Sequence, residues 1–412
     1  MQLDEIDTPA LLLDAAKMAR NIARMRTRLA ALGVSFRPHL KTCKSIDVAR
    51  RHFDWRSDGL SGVDRSSGSA TAPAGVPAAA PASDPAHHPP GPHGTGPVTV
   101  STLKEADYFF GHGFTDILYA VGIAPHKLKQ VSDLRAHGCD LKIILDNLEA
   151  AQSVAAFAAQ SGKPVPTLIE IDSDGHRAGV HPESDTLISI GRALGASLAG
   201  VMTHAGDSYN CTSVEAIRAM AEQERARSVR AAERLHAAGL ACPIVSVGST
   251  PTATYAEKLN GVTEVRAGVF VFFDLVMAGI NVCKVDDIAL SVLATVIGHQ
   301  RDKGWLITDA GWMAMSRDRG TSRQALDQGY GLVSDAAGVP LDGLIMIDAN
   351  QEHGIIAHRS GVAASTPLLP IGTRLRILPN HACATAAQHP RYHVVRGEGK
   401  AVEALWERFS GW

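Results

Sequence analysis

The sequence predicts an α/β protein in which a (β/α)8 TIM barrel is joined to a second, mostly β domain. Three observations support this prediction. Eight short β-rich runs alternate with helical patterns over about 240 residues, as a (β/α)8 barrel requires. After Asp274 the β-type runs are separated by Gly, Pro and Asn instead of helical patterns, which indicates a second domain. The length of 412 residues is typical of two or three domains.

The barrel elements follow in chain order. Asp14 is placed to cap a first helix whose apolar residues recur every three to four positions, and Gly33 ends that helix. Helical patterns separate the later strands, as in Ser213–Ala238, which is rich in Ala, Arg and Glu. The predicted strands are Ser35–His39, Val98–Ser101, Asp116–Val121, Leu141–Leu145, Thr167–Asp172, Leu198–His204, Pro243–Val247 and Glu264–Ala267.

The second domain is predicted from short runs of β type. The extended segment Thr8–Asp14 is left over from the barrel count, and we expect it to join the same sheet. The predicted bounds are 13–279 for the barrel and 280–412 with 1–12 for the β domain. The β-type runs are Ala289–Gly298, Trp305–Asp309, Gly343–Ile347, Gly354–His358 and Thr373–Leu378.

One stretch within the barrel, at about 56–97, consists almost entirely of Ser, Gly, Ala, Pro and His. It has no apolar periodicity and cannot bury enough surface to offset the entropy cost of ordering. His87, His88 and His93 are also compatible with a metal-binding tract, but the composition favours a disordered surface insertion.

Composition argues against several classes of protein. With 40 Lys and Arg against 42 Asp and Glu, the chain lacks the basic excess of a nucleic-acid binder. No uncharged apolar run approaches the ~18 residues of a membrane span, and the acidic start MQLDEIDTP does not predict a signal peptide. Six cysteines without paired spacing predict reduced thiols and a cytoplasmic location.

Catalytic groups of a barrel lie at the carboxyl ends of its strands. The first strand ends in the run RPHLKTCKS, which places His39 and Lys41 at the barrel mouth. Desolvation there favours a neutral amine, which is the nucleophile that forms a Schiff base. The alternative is an ordinary solvated loop lysine.

The seventh strand ends in the run VGSTPT. Gly248 allows close approach of the backbone, and Ser249 and Thr250 supply hydroxyls at a helix start, where free N–H groups face outward. This pattern is typical of a phosphate cradle, at the strand where barrels most often hold one. The same residues are equally suited to an ordinary helix cap.

The fifth and sixth strands end in DSDGHRAG and THAGDSY, which places Arg177, His204 and Tyr209 at the barrel mouth. The Asp and His residues of these runs are also compatible with structural caps. A lysine at the mouth, a phosphate cradle and these side chains together indicate pyridoxal phosphate, with the lysine as Schiff-base partner.

The run PNHACA pairs His381 with Cys383. On an extended strand, positions two apart face the same side, and imidazole plus thiolate suits Zn²⁺, with Mn²⁺, Co²⁺ or Mg²⁺ as other candidates. Two protein ligands leave room for water or substrate, as a catalytic metal requires. The alternative is a buried cysteine beside a hydrogen-bonded histidine.

These runs resemble those of the fold-type III pyridoxal-phosphate enzymes of the alanine racemase type. Within them, the sequence is similar to the group that holds D-serine dehydratase and D-threonine aldolase. The resemblance covers essentially the whole chain except residues at about 55–95. It rests on DTPALLLD, RPHLKTCKS, TVSTLKEAD, DILYAV, DSDGHRAGV, THAGDSY, VSVGSTPT, EVRAGVFVFFD, DAGWMAMSRDRG, NQEHG and LPNHACATAAQH.

The resemblance implies an alanine-racemase-like fold, an active homodimer and a role for each site residue. The residues and their implied roles are Lys41 as the Schiff-base lysine, Arg177 beside the phenolic oxygen of the cofactor, Tyr209 beside its ring nitrogen, Gly248, Ser249 and Thr250 on its phosphate, and His381 and Cys383 as metal ligands.

The implied activity is that of a lyase that needs pyridoxal phosphate and a divalent metal and acts on a small β-hydroxy D-amino acid. The His-x-Cys pattern resembles the dehydratase members, so we expect dehydration of D-threo-3-hydroxyaspartate, or of D-serine, to a 2-oxo acid and ammonia. One alternative is an aldolase acting on D-threonine or 3-hydroxy-D-aspartate, which gives glycine and an aldehyde. Another is a pyridoxal-phosphate-binding protein without lyase activity, although such proteins lack the β domain and the His-x-Cys pair.

A 3-hydroxyaspartate substrate carries a second carboxylate, which needs a cation or several N–H donors near the metal. Arg317 and Arg319 are predicted to bind it, since a guanidinium suits bidentate carboxylate binding. The alternative is that both arginines pair with Asp309, Asp318 or other surface acids.

Overall fold

The computed structural model describes residues 1–53, 95–397, 399 and 401–412. The predicted insertion at about 56–97 lies outside the described residues except for 95–97. Within the described ranges, no helix is long and apolar enough to cross a membrane.

The chain begins with strand β1 (Ala10–Asp14), which leads directly into helix α1 (Ala15–Ala31). The Asp14 carboxylate accepts hydrogen bonds from the N–H groups of Ala16 and Lys17, at 2.9 and 3.0 Å, so it caps the helix as predicted. Gly33 has φ +69°, the left-handed conformation that ends many helices. The buried face of α1 consists of Met18, Asn21, Ile22, Met25 and Leu29.

Eight parallel strands form the barrel, and all eight predicted strands are confirmed, with ends that differ by at most two residues. A parallel bridge between His39 and Thr99 joins the first strand of the sheet to its last and closes the ring. The strands are β2 (Ser35–Pro38), β3 (Val98–Val100), β4 (Asp116–Gly122), β5 (Asp140–Leu145), β6 (Thr167–Glu170), β7 (Leu198–Met202), β8 (Ile244–Val247) and β9 (Glu264–Ala267).

A helix follows each barrel strand; all but the last stand between consecutive strands of the ring, and the last leads into the β domain. In chain order they are α2 (Ile46–Arg51), α3 (Leu103–Gly111), α4 (Leu128–Ala136), α5 (Leu148–Ser161), α6 (Asp185–Leu194), α7 (Val214–Ala237), α8 (Thr250–Tyr255) and α9 (Leu275–Gly279). Because the strands are parallel and the helices return the chain, all eight carboxyl ends open on the same face.

The second domain is a largely antiparallel sheet of nine strands, and the predicted β-type runs are confirmed as parts of it. Strand β1 joins this sheet, antiparallel to β10 and parallel to β16. The remaining strands are β10 (Leu290–Gln300), β11 (Trp305–Thr308), β12 (Gly331–Asp335), β13 (Pro340–Ala349), β14 (Gly354–His358), β15 (Arg374–Pro379), β16 (Arg391–Val395) and β17 (Ala404–Glu407). The exact domain bounds given above stay a prediction.

The β domain also contains two short helices, α10 (Trp312–Met315) and α11 (Ala382–Ala386), and Cys383 of α11 lines the barrel mouth. The apolar core runs without interruption from the barrel into the β domain. At their junction the rings of Phe272 and Tyr392 lie 5.6 Å apart. The two domains are therefore packed together over a shared core.

Candidate active site

A cavity of about 720 Å³ opens at the carboxyl ends of the barrel strands and is bounded on one side by the β domain. The sequence predicted ten residues for cofactor and metal, and the structure brings all ten to its wall. They are His39, Lys41, Arg177, His204, Tyr209, Gly248, Ser249, Thr250, His381 and Cys383.

Lys41 lies three residues beyond the end of β2, with its side chain exposed to the cavity. The Lys41 backbone N–H donates to Nδ1 of His39 at 3.4 Å. Burial, and then the charge of Lys41, hold the pKa of His39 well below its usual value. His39 is therefore a neutral neighbour that adds no positive charge beside the amine.

The turn after β8 has a backbone that demands glycine. Gly248 has φ +143°, and a Cβ there would lie 1.9 Å from the carbonyl oxygen of Arg266. The Ser249 hydroxyl accepts from the N–H of Thr252 at 3.3 Å and caps helix α8, so the capping alternative is confirmed. The residues of this cap also line the cavity, so they can both cap helix α8 and hold a phosphate.

Glu224 on α7 is a buried residue that sequence reasoning missed. Its carboxylate accepts hydrogen bonds from the N–H groups of Gly248 and Ala205, at 2.9 and 3.1 Å. Burial raises its pKa. This one side chain holds together the turn after β7 and the turn after β8. A glutamate in a helix rich in Arg and Glu gives no sequence signal for such a role.

The ends of β6 and β7 contribute an exposed arginine and a half-buried histidine. His204 donates through Nδ1 to the carbonyl of Gly248 at 2.9 Å, and burial together with Lys41 lowers its pKa to about 3. Burial also raises the pKa of Tyr209, whose ring lies 6.2 Å from that of His204. Arg177 remains 63% exposed, with Glu170 at 3.7 Å.

The predicted geometry of the His381–Cys383 pair is wrong in one respect. The two residues do not alternate along a strand, because β15 ends at Pro379 and Cys383 lies in the first turn of α11. The buried Asp274 carboxylate accepts from the Ala382 N–H at 3.0 Å, which favours the helical turn at this point. Both side chains nevertheless reach the same cavity.

Asp318 is the second residue that sequence reasoning missed. Nδ1 of His381 donates to Oδ2 of Asp318 at 2.6 Å. Burial alone would lower the pKa of His381, but the hydrogen bonds to Asp318 and Cys383 outweigh it and raise the pKa to about 11. Burial of the Cys383 thiol is likewise outweighed by His381, and its pKa is lowered. The pair therefore favours imidazolium and thiolate.

Cys383 also contacts the loop that carries the lysine. The Thr42 hydroxyl and the Cys383 sulfur are 3.2 Å apart, and Thr42 follows Lys41 directly in the chain. In the part of the chain that the structure describes, no three His, Cys, Asp or Glu side chains converge as a complete metal site would require. His381 and Cys383 thus form an open pair.

Neither predicted substrate arginine lines the cavity. Arg317 lies with its guanidinium 5.2 Å from the centre of the Trp312 ring. Arg319 pairs with Asp327 at 2.8 Å, which is the surface-acid alternative stated above. The residue between them, Asp318, lines the cavity instead. In the run SRDRG, it is therefore Asp318 that reaches the cavity, whereas Arg317 and Arg319 do not.

Arg266 on β9 lies buried in the barrel interior and lines the cavity. Its Nε donates to the Ser246 hydroxyl at 2.8 Å, and that hydroxyl donates to Glu264 at 2.7 Å. Glu264 in turn accepts from Arg37 at 2.8 Å. This chain of buried polar groups holds the Arg266 guanidinium at the cavity wall, and sequence reasoning did not single it out although it lies in the run EVRAGVFVFFD.

Comparison with known proteins gives two family matches, one over most of the barrel and one over most of the second sheet. Residues 92–276 match the family described as "Alanine racemase, N-terminal domain". Residues 289–395 match the family described as "Putative serine dehydratase domain".

Full-length similarity is also found. The chain is 53% identical to D-threo-3-hydroxyaspartate dehydratase of Delftia sp. (strain HT23), over 99% of this chain and 98% of that protein. It is 27% identical to D-serine dehydratase of Dictyostelium discoideum, over 98% of this chain and 97% of that protein. A solved structure of a cysteine-to-alanine mutant of D-threo-3-hydroxyaspartate dehydratase in the metal-free form has 52% identity, a TM-score of 0.86 and complete coverage of both chains.

Proposed function

The chain belongs to the fold-type III pyridoxal-phosphate enzymes of the D-serine dehydratase and D-threonine aldolase group, and from that premise we propose its substrate and its metal. It is a pyridoxal-phosphate-dependent lyase. The proposed reaction is dehydration of D-threo-3-hydroxyaspartate, or of D-serine, to a 2-oxo acid and ammonia. One observation carries the proposal, which is that Lys41 and the His381–Cys383 pair line the same cavity.

The residues at the barrel mouth fit the cofactor. Lys41 is the amine that would form the Schiff base, and Gly248, Ser249 and Thr250 would hold the phosphate at the end of β8, two strands away around the ring. Arg177 is proposed beside the phenolic oxygen and Tyr209 beside the ring nitrogen. The neutral state of His39 and His204, caused by burial, supports this proposal because it leaves the lysine as the reactive base. When bound, pyridoxal phosphate supplies the electron sink for negative charge at the substrate Cα.

The donor set of the β domain fits a divalent metal, with Zn²⁺ first and Mn²⁺, Co²⁺ or Mg²⁺ as alternatives. Asp318 engages Nδ1 of His381, which leaves Nε2 as the ring nitrogen for a ligand bond, and this carboxylate–histidine arrangement is common at metal sites. A thiolate at Cys383 would be the second ligand. A metal held there would act as a Lewis acid toward the substrate hydroxyl.

The chain's own residues divide the work between two walls of the cavity. Nζ of Lys41 is positioned to remove the Cα proton from a substrate in the cavity. Tyr209 and Met202 on the barrel side, with Asp318 and His381 on the β-domain side, enclose the space in which the β-hydroxyl would lie. The contact between Thr42 and Cys383 keeps the two walls in register.

The decisive experiment is to incubate the purified holoenzyme with each D-β-hydroxy amino acid and identify the products. A 2-oxo acid with ammonia from 3-hydroxyaspartate supports dehydration. Glycine with an aldehyde would replace it by the aldolase alternative, and no turnover with intact bound cofactor would favour the non-catalytic alternative.

Assembly and location complete the proposal. We expect a homodimer, as the family resemblance implies, and a cytoplasmic protein, as the unpaired cysteines indicate. Light scattering coupled to size exclusion, at several protein concentrations, tests the dimer.

A further inference from the structure

The loop that carries Lys41 is bonded to the β domain at each of the three residues that follow the lysine. The Thr42 hydroxyl contacts the Cys383 sulfur at 3.2 Å. The carbonyl of Cys43 accepts from the Tyr392 hydroxyl at 2.6 Å. We propose that Tyr392 and Phe409 are positioning residues that fix the direction of the Lys41 side chain, an inference that rests on the Schiff-base role proposed above.

The third bond comes from the end of the chain. The Phe409 N–H donates to the carbonyl of Lys44 at 3.0 Å. Lys44 has φ +43°, a left-handed conformation that a lysine adopts only when its surroundings impose it. The backbone turn that directs Lys41 into the cavity is thus held from outside the barrel.

The side chain of Lys44 strengthens the same junction. Its ammonium lies 3.2 Å from Glu105, which is fully buried at the start of α3, and 5.8 Å from the centre of the Phe409 ring. Glu105 also accepts from the N–H of Ser101, which lines the cavity. The loop, helix α3 and the chain end therefore share one buried ion pair.

The chain end is itself anchored on the barrel. The Phe409 ring lies 4.2 Å from that of Tyr108 and 5.8 Å from that of Phe109, measured between ring centres. Nζ of Lys104 donates to the Ser410 carbonyl at 2.8 Å. Trp412, two residues further, is 96% exposed. The contact with the barrel thus includes Phe409 and Ser410 but leaves the Trp412 side chain in solvent.

The hydrogen bond between Tyr392 and Cys43 is buried, so its loss should shift the loop that carries Lys41. Tyr392 and Cys43 are almost completely buried, so removal of the tyrosine hydroxyl leaves a carbonyl of the loop without this partner in a dry interior. The loop would then relax. The distance between Nζ of Lys41 and the proposed phosphate-binding turn at Gly248 would no longer be fixed.

The test uses the holoenzyme with Tyr392→Phe and Phe409→Ala, and Trp412→Ala as the matched control from the same chain end. In Tyr392→Phe we expect pyridoxal phosphate to bind about tenfold more weakly. The visible circular dichroism of the bound cofactor should change, and kcat should fall with KM nearly unchanged. Trp412→Ala should match the wild type in all three measurements.

Phe409→Ala should show the same pattern with a larger drop in kcat, because it also exposes the Lys44–Glu105 pair. If it does not fold, Tyr392→Phe alone decides, since it removes one oxygen and keeps the ring. An unchanged cofactor affinity, dichroism and kcat in Tyr392→Phe would overturn the positioning role while leaving the proposed function intact. Absence of a Schiff base in the wild type would instead remove the proposed function.

Discussion

Two histidines on opposite walls of the same cavity have opposite electrostatic settings. On the barrel wall, burial and the nearby Lys41 lower the pKa of His204 to about 3. On the β-domain wall, the hydrogen bonds of His381 to Asp318 and Cys383 outweigh burial and raise its pKa to about 11. Burial acts on both rings in the same direction, so the partner that each ring meets decides its charge.

The difference teaches how the two domains share the chemistry. On the barrel wall, His39 and His204 are kept neutral, which leaves Lys41 as the proposed reactive base. The β domain brings an imidazole and a thiol to the cavity, a pair suited to a cation, and holds the imidazole through the Asp318 carboxylate. If this contrast is correct, substitutions on the barrel wall should leave metal binding intact, and substitutions on the β-domain wall should leave cofactor binding intact.

The largest effect is expected on the barrel wall. Lys41→Ala should lower kcat by at least about 10³-fold, because it removes both the Schiff-base amine and the base for the Cα proton. Metal content should stay at the wild-type level. The check is borohydride reduction followed by mass spectrometry, and a reducible Schiff base in this variant would move the role to another lysine.

A smaller loss of kcat is expected for changes on the β-domain wall, where the metal should be lost and the cofactor retained. His381→Ala combined with Cys383→Ala should lower kcat by about 10²-fold and remove bound metal, since a Lewis acid contributes several kcal/mol to such a step. The visible spectrum of the bound cofactor should be retained. Full activity of the double variant in metal-free buffer would take the metal out of the reaction.

Asp318→Asn sharpens the contrast within the β-domain wall. The variant keeps the shape but loses the charge that faces His381, so we expect metal affinity to fall by about tenfold. Competition with a chelator measures this, and cofactor affinity should not change. Asp327→Asn, which removes the partner of Arg319 outside the cavity, is the matched control and should bind metal normally.

The stability of the metal-free protein should depend on pH through the same pair. The pKa of His381 is raised, so its contribution is complete below its usual value of about 6.5 and declines as the pH rises toward about 11. The pKa of Asp318 is lowered, so its contribution is lost as the pH falls below about 4.

The pair should therefore stabilise the fold most between about pH 4 and 6.5. Because both groups are a third or more exposed, the difference in Tm between wild type and Asp318→Asn should be at most about 2 °C at pH 6, and smaller at pH 9. A difference that grows toward pH 9 would contradict the ion pair.

The smallest effect is expected for Arg319→Ala. Since Arg319 pairs with Asp327 and lies over the ring of Tyr330, its loss should lower kcat/KM by about twofold or less, and equally for 3-hydroxyaspartate and serine. Steady-state kinetics on both substrates test this. A loss restricted to 3-hydroxyaspartate would restore the substrate-binding role that the sequence predicted.

The sequence predicted the barrel and the lining of its mouth because both depend on local patterns. Each barrel strand is a short apolar run, and the residue types that follow the strands are fixed by chain order. Since parallel strands end on one face, Lys41, Arg177 and Ser249 had to meet there. In the β domain, strands β12, β16 and β17 were not predicted, because polar residues interrupt their apolar runs (GLVSD, RYHVV and ALWE) and their order comes from neighbouring strands.

Only the tertiary structure decided which partners the site residues have. Asp318 meets His381 across 63 positions of chain, and Asp274 meets Ala382 across 108. Tyr392 reaches Cys43 across 349. No periodicity or motif encodes these meetings, because the first joins distant segments of the β domain and the other two depend on how the two sheets pack. The sequence by itself determined which chemical groups the protein carries to its cavity, and the tertiary fold decided which of them are neutral, which are charged and which are held in place.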